Sequence, residues 1–219
     1  MNMRIRNKGK VCYAIYNIKI IEIVLIRHFS SESMNLEDCR KKLEELEKAR
    51  EDLLKLVRDM RINATKAIAS IHAGKNYEEF LNKALEIMDE VYKYKDKFPE
   101  IYYAITHDSM QELVEAYFFA KAIKNEFKFD FSELKAEPSA IVTGLADLIG
   151  ELRRYALDKL MKGDFNTAER FINLMEKIYF ELISFGGFPD KIVPGLRHKL
   201  DVARASIERT KSDYIAAKK

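Results

Sequence analysis

Carboxylates in two stretches of the chain stand where a solvated helix carries apolar or paired residues. In HDSMQELVEAYFFAKAI, residues 107–123, Glu112 and Glu115 are three apart, so they lie one above the other on one helix face. Asp108, four before Glu112, joins that face. Glu115 is flanked by Leu113, Val114, Ala116, Tyr117, Phe118 and Phe119, more apolar bulk than a surface helix gathers around an acid. In AIVTGLADLIGELRRYALDKL, residues 140–160, Asp147 and Glu151 are four apart, and Asp158 follows at eleven, about three turns on, so all three share a face. Like charges at these spacings repel by a few tenths of a kcal/mol when exposed and by more when buried. Buried without partners, they protonate or demand a cation. Two such faces brought together make an oxygen cage suited to Mg2+ or Mn2+. A metal held there activates water and offsets charge on a phosphodiester.

Spacing alone leaves a plainer reading open. Arg153 and Arg154 follow Glu151, and Lys121 and Lys124 follow Glu115, so ordinary salt bridges within or between helices also satisfy these acids. Other chemistries are excluded. A ferritin-like di-iron bundle needs Glu-x-x-His pairs, and His28, His72, His107 and His198 each lack a Glu three residues earlier. No His/Cys cluster suits zinc, and no Gly-rich phosphate loop is present. Arg154 shares the face of Asp147, Glu151 and Asp158 and can position a phosphate or neutralise Glu151; Arg153 is its neighbour. His107, beside the acidic face, is a candidate for proton transfer. Further basic groups are Arg40, Lys41, Lys42, Lys93, Lys95, Lys97, Arg197 and Lys199, most of them read as solvated helix faces. Tyr102, Tyr103, Tyr117, Phe118 and Phe119 can stack on bases but at helical spacing fit a core or a subunit interface better.

These residues need long helices to place them, and the composition provides for that. In 219 residues there are only 8 Gly and 4 Pro, too few breakers for a β-sandwich or a βαβ array. Leu43, Leu46, Leu53, Val57, Met60, Ala64, Ile68 and Ile71 form one stripe of a very long helix that Asn35 caps and Gly74 ends. Further helices are predicted over Tyr77–Phe98, from Pro99 to about Phe127, from Pro138 to near Gly163, over about Asn166–Phe185, and from near Pro194 to the C-terminus. Short links make this an all-α antiparallel bundle of about six or seven helices, a single domain over residues 34–219. Gly144 and Gly150 cost their helix about 1 kcal/mol each relative to Ala, which points to a close approach by another backbone or a ligand.

Residues 1–33 differ from the rest: Ile-rich, without a helical stripe, and holding six basic against two acidic residues. They are read as an N-terminal extension, with Met34 opening the functional domain; a short β-forming segment at Val11–Ile26 is the competing reading. The remainder carries 32 basic and 33 acidic groups, so nucleic acid would have to be met by local patches or by many copies in an assembly. Cys12 and Cys39, two distant thiols, fit a reducing, cytoplasmic setting. No apolar run reaches the roughly 18–20 residues of a membrane span.

QELVEAYFFAKAI, GLADLIGELRRYALDKLMKGDF, KFPEIYYAI and the C-terminal FELISFGGFPDKIVPGLRHKLDVARASIERTKSDY resemble the translin family, over roughly Leu36 to Tyr214. Within it, the segments QELVEA and GLADLIGEL look like the motifs of the translin-associated protein X (Trax) branch, whose endoribonuclease activity depends on Mg2+. The resemblance places the catalytic acids at Glu112, Glu115 and Asp147, with Glu151 as a further metal ligand. It implies an all-α fold assembled into a hollow homo-oligomer, an octamer, with RNA or single-stranded DNA held inside. It also implies cleavage of single-stranded or short structured RNA; Arg154, Arg153 and His107, picked out above by position, are the candidate nucleic-acid-binding residues. A non-catalytic single-stranded RNA/DNA-binding oligomer is the alternative, and a helical oligomer whose acidic face meets a protein partner is a third.

Overall fold

The computed structural model describes residues 35–218. The N-terminal extension, the start at Met34, the segment Val11–Ile26 and Cys12 lie outside the described residues; Cys39 is a free thiol. Among the described residues there is helix, turn and loop, with no strand.

The long first helix, α1, spans Leu36–His72. Asn35 caps it reciprocally: the Asp38 amide donates to Asn35 Oδ1 at 3.0 Å, and the Asn35 amide donates to Asp38 Oδ2 at 3.2 Å. Its stripe is buried at Ala49, Leu53, Val57, Met60, Ala64, Ala67, Ile68 and Ile71, whereas Leu43 is exposed. Gly74, at φ 63°, takes the left-handed turn that stops the helix.

Two expected helices are each divided. The segment predicted over Tyr77–Phe98 is α2, Glu78–Tyr92, followed by the short α3, Tyr94–Lys97. The helix predicted from Pro99 to about Phe127 is α4, Pro99–Ile105, and α5, His107–Ile123. The break falls at Thr106, which is buried and turns its hydroxyl back onto the Tyr102 carbonyl at 2.7 Å. Backward bonds of this kind can bend a helix, yet Thr143 and Thr210 make the same bond inside unbroken helices, so it does not by itself account for the break. Then come α6, Pro138–Met161, α7, Phe165–Ile183, a 3-10 turn over Ser184–Gly187, and α8, Leu196–Ala217.

Helix α6 packs against α5, α7 and α8, and α7 against α8. The turn from α6 to α7 leaves only Lys162–Asp164 between them, so the two helices run antiparallel. Helix α5 is buried almost all round, from Ser109 through Ala122, as a helix at the centre of a bundle must be. One continuous core joins Phe118 and Phe119 of α5, Leu148, Ile149 and Leu152 of α6, and Phe171 and Met175 of α7. An acid on the inner side of α5 or α6 is therefore held against apolar surface unless another element brings it a partner.

Candidate functional site

The two acidic stretches meet where α5 crosses α6. Gly144 makes the crossing possible. A Cβ added there would lie 2.6 Å from the Gln111 carbonyl oxygen and 2.9 Å from Val114 Cβ and Cγ1, so only glycine lets the backbones pass this close. Gly150 has nothing within 4 Å, and no close approach explains it. The crossing sets Gln111, Glu112 and Glu115 of α5 beside Asp147 and Glu151 of α6.

The acids are compensated unequally. Lys199, on α8, donates to Asp147 Oδ1 at 2.7 Å and to Oδ2 at 2.6 Å, and Gln111 Nε2 donates to Oδ2 at 2.7 Å. Glu151 pairs with His72 Nε2 at the end of α1. The His72 ring is fixed between Phe119 at 4.9 Å and Tyr155 at 6.4 Å. Among the described residues Glu112 accepts only a neutral hydroxyl, from Thr65 at 2.8 Å. Glu115 is 8% exposed, and no hydrogen bond or ion pair reaches its carboxyl among the described residues.

That imbalance shows in the charge state of Glu115. Burial pushes its carboxyl up from 4.5 to about 9, and the charges of Glu112, Asp147 and Glu151 add to the push while Lys199 opposes it. At neutral pH Glu115 therefore holds a proton. His107 moves the other way. Burial lowers it most, Lys199 lowers it further, and Asp108 partly restores it. Its ring lies 3.3 Å from Ser139 Oγ and 3.5 Å from Thr143 Oγ1.

Glu112, Glu115, Asp147 and Glu151, the acids singled out by spacing, do come together. The partners that spacing suggested for them are wrong. Lys121 reaches Glu133 at 3.6 Å and Lys124 reaches Glu78 at 2.7 Å, so neither compensates Glu115. Arg153 is committed to Thr210 at 3.2 Å and Asp213 at 3.6 Å, not to Glu151. Arg154 is exposed and makes no hydrogen bond or ion pair among the described residues. Asp158 pairs with Lys162 at 2.7 Å, and Asp108 is exposed beside His107. Of the candidate stacking aromatics only Tyr103 is exposed; Tyr102, Tyr117, Phe118 and Phe119 are core. Composition and periodicity gave no reason to pair Lys199 with Asp147 or His72 with Glu151, and Thr65 carried no signal at all.

The donor chemistry fits a hard dication: four carboxylates, one of them buried without any donor and unable to ionise cheaply as it stands. The side chains as placed do not yet form the cage, for among the described residues no three His, Cys, Asp or Glu groups are arranged around one point. Asp147 is turned to the Lys199 ammonium and Glu151 to the His72 ring. Among the described residues no helix is long and apolar enough to cross a membrane.

A model of the translin family matches residues 37–212. An uncharacterized protein of Methanocaldococcus jannaschii is 33% identical over 170 residues, covering 76% of this chain and 75% of that one. Among solved structures, AfC3PO in complex with duplex RNA superposes with a TM-score of 0.82 at 58% identity, over 84% of this chain and 97% of that one. The crystal structure of AfC3PO gives the same TM-score at 59% identity, with the same coverage. Apo-NeC3PO, at 21% identity and a TM-score of 0.75 over 86% of this chain and 100% of that one, shares the fold.

Proposed function

The chain belongs to the translin family; from that premise we propose that it binds RNA and cuts it as a Trax-like, metal-dependent endoribonuclease. The observation that carries this reading is Glu115, buried among three other carboxylates and without a partner of its own. Without a cation this carboxyl is held protonated, and a dication is the partner that its charged form lacks. RNA as the ligand is supported by the likeness at 58% identity to AfC3PO, which is seen with duplex RNA. Single-stranded or short structured RNA is the proposed substrate, single-stranded DNA a further ligand, and a cytoplasmic homo-octamer the proposed assembly.

Glu112, Glu115 and Asp147, with Glu151 beside them, would hold Mg2+ or Mn2+. When bound, the ion supplies Lewis acidity toward the phosphodiester and a water acidic enough to attack at neutral pH. The chain's own groups set the conditions. The apolar walls of α5 and α6 keep the local dielectric low, which strengthens each charge interaction in the site. Glu115 gives up its proton as the site fills. His107 is the candidate for proton transfer, although burial disfavours its protonated form and so weakens it as a base. Arg154, unpaired among the described residues, is free to reach a phosphate oxygen, while Arg153 is tied to α8 and serves nucleic acid only by leaving Asp213.

A second reading has its own support. The Asp147–Lys199 and Glu151–His72 pairs satisfy half of the acids without any metal, as a non-catalytic binding oligomer requires. Labelled RNA incubated with Mg2+, with EDTA, and with Glu115→Gln protein separates the two. The enzyme cuts only with Mg2+ and loses cleavage but not binding in the variant. Cleavage that survives EDTA or the substitution, or no cleavage by the parent, ends the nuclease reading.

A further inference from the structure

Lys199 is the one cation that reaches into the acid cluster from α8. Its ammonium straddles Asp147, donating to both carboxylate oxygens at 2.7 and 2.6 Å, and Gln111 adds a third donor on Oδ2 at 2.7 Å. The pair is largely shielded from water, with the Lys199 and Asp147 side chains 25% and 28% exposed. Screening is weak at such a depth, so the ammonium offsets much of the repulsion between Asp147 and its acidic neighbours. While it stays, both Asp147 oxygens face an ammonium, and a dication placed against them would meet a like charge.

We propose that Lys199 is a displaceable counter-cation: in the metal-free protein its ammonium holds the place of the dication at Asp147, and metal entry is an exchange that drives it out. This rests on the metal reading given above. The side chain suits the task. Lysine carries a compact charge on a flexible four-carbon stem, so the ammonium can swing away without moving α8, and solvent is near enough to receive it. The exchange has two consequences. The metal-free bundle stays folded although its acids converge, and the affinity for the dication is set below what the carboxylates alone would give.

The test uses full-length protein stripped with EDTA and Mn2+ as the probe, with binding read by electron paramagnetic resonance of the free ion. Lys199→Met and Lys199→Gln should each bind Mn2+ about tenfold more tightly than the parent, because a repelling charge near the ion is gone. Lys199→Arg, which keeps the charge, should bind no more tightly than the parent. Without metal the two neutral variants should melt below the parent, and Mn2+ should raise their melting temperature by more. A measurement on the parent needs no variant: acylation of Lys199, followed by peptide mass spectrometry, should speed up several-fold when Mn2+ is added. Neutral variants that bind Mn2+ no more tightly than the parent, or Lys199 acylation indifferent to Mn2+, overturn the exchange and leave the metal reading standing. No Mn2+ binding by any of the proteins overturns both.

Discussion

The α5 and α6 halves of the site carry the same chemistry under opposite conditions. On α6, Asp147 and Glu151 face outward enough to meet partners from distant segments, Lys199 and His72. On α5, Glu112 meets a hydroxyl, and Glu115, among apolar walls and other acids, feels only the charge of Lys199, with no hydrogen bond or ion pair of its own among the described residues. The difference lies in position on the helix. Helix α6 packs directly on α8, whose Lys199 hydrogen-bonds Asp147, whereas Glu115 on α5 feels the Lys199 charge but receives no hydrogen bond or ion pair from it. Carboxylates elsewhere show what ordinary satisfaction looks like: Glu137 takes a hydrogen bond from Tyr102 at 3.1 Å and an ion pair from Lys95 at 2.8 Å. On the metal reading proposed above, the uncompensated demand for a cation centres on α5, and the α6 acids are held by partners of their own.

The contrast can be broken most sharply at Glu115. Glu115→Gln should lower RNA cleavage by about 1,000-fold or more, the scale of losing a group that holds charge at the reacting centre, with binding close to the parent in a gel-shift titration. Asp147→Asn should cost as much cleavage only if the α6 half is as indispensable as the α5 half.

Next in size is Gly144→Ala, which attacks the crossing itself. The added methyl meets the Gln111 carbonyl at 2.6 Å, and because backbone cannot yield cheaply the two halves must separate. A loss of about 3 kcal/mol is expected in urea unfolding, beyond the helix-propensity gain of roughly 1 kcal/mol that alanine brings. Cleavage should fall with it. An equally stable variant would mean that the crossing is looser than it looks. Gly150→Ala, with open space around it, should stabilise instead.

The pH dependence of stability sharpens the comparison further. Glu115 is raised from 4.5 to about 9, so the folded protein binds a proton that the unfolded chain releases in that window. Its contribution is full below pH 4.5 and is lost as pH rises toward 9. His107 is depressed, so its contribution is present above its ordinary 6.5 and lost below, which leaves pH 6.5 to 9 as the clean window. In EDTA, parent stability should fall across that window, and Glu115→Gln should flatten the slope and gain about 2 kcal/mol at pH 8.5. A parent profile as flat as that of the variant would place Glu115 in a wetter setting. The smallest effect is reserved for Asp158, which shares the α6 face by periodicity but pairs with Lys162 near solvent. Asp158→Asn should change stability by less than about 0.5 kcal/mol and leave cleavage untouched.

What the sequence made legible divides along the same line. The acids on each helix were readable because three- and four-residue spacing is a local rule, and burial of Glu115 was readable from the aromatic run around it. Their convergence needed Gly144 to be recognised as a crossing point, and nothing local separates it from Gly150. The compensating groups were not readable. Lys199 lies 52 residues from Asp147, and His72 lies 79 from Glu151, so only the packed bundle pairs them. The nearby Lys121, Lys124 and Arg153 looked like the obvious partners and turned to other carboxylates, and Arg154 pairs with none among the described residues. The helix ends followed Pro and Gly well, whereas the break at Thr106 had no Pro or Gly to announce it.

If a dication is what Glu115 awaits, its binding must expel the proton that Glu115 holds. Calorimetric titration of Mn2+ at pH 7.5 in two buffers of different ionisation enthalpy counts the protons expelled on binding. A carboxyl held near 9 must lose its proton to become a ligand, so the parent should release about one proton per ion and Glu115→Gln none. Binding without proton release, or the same release from the variant, would contradict the account.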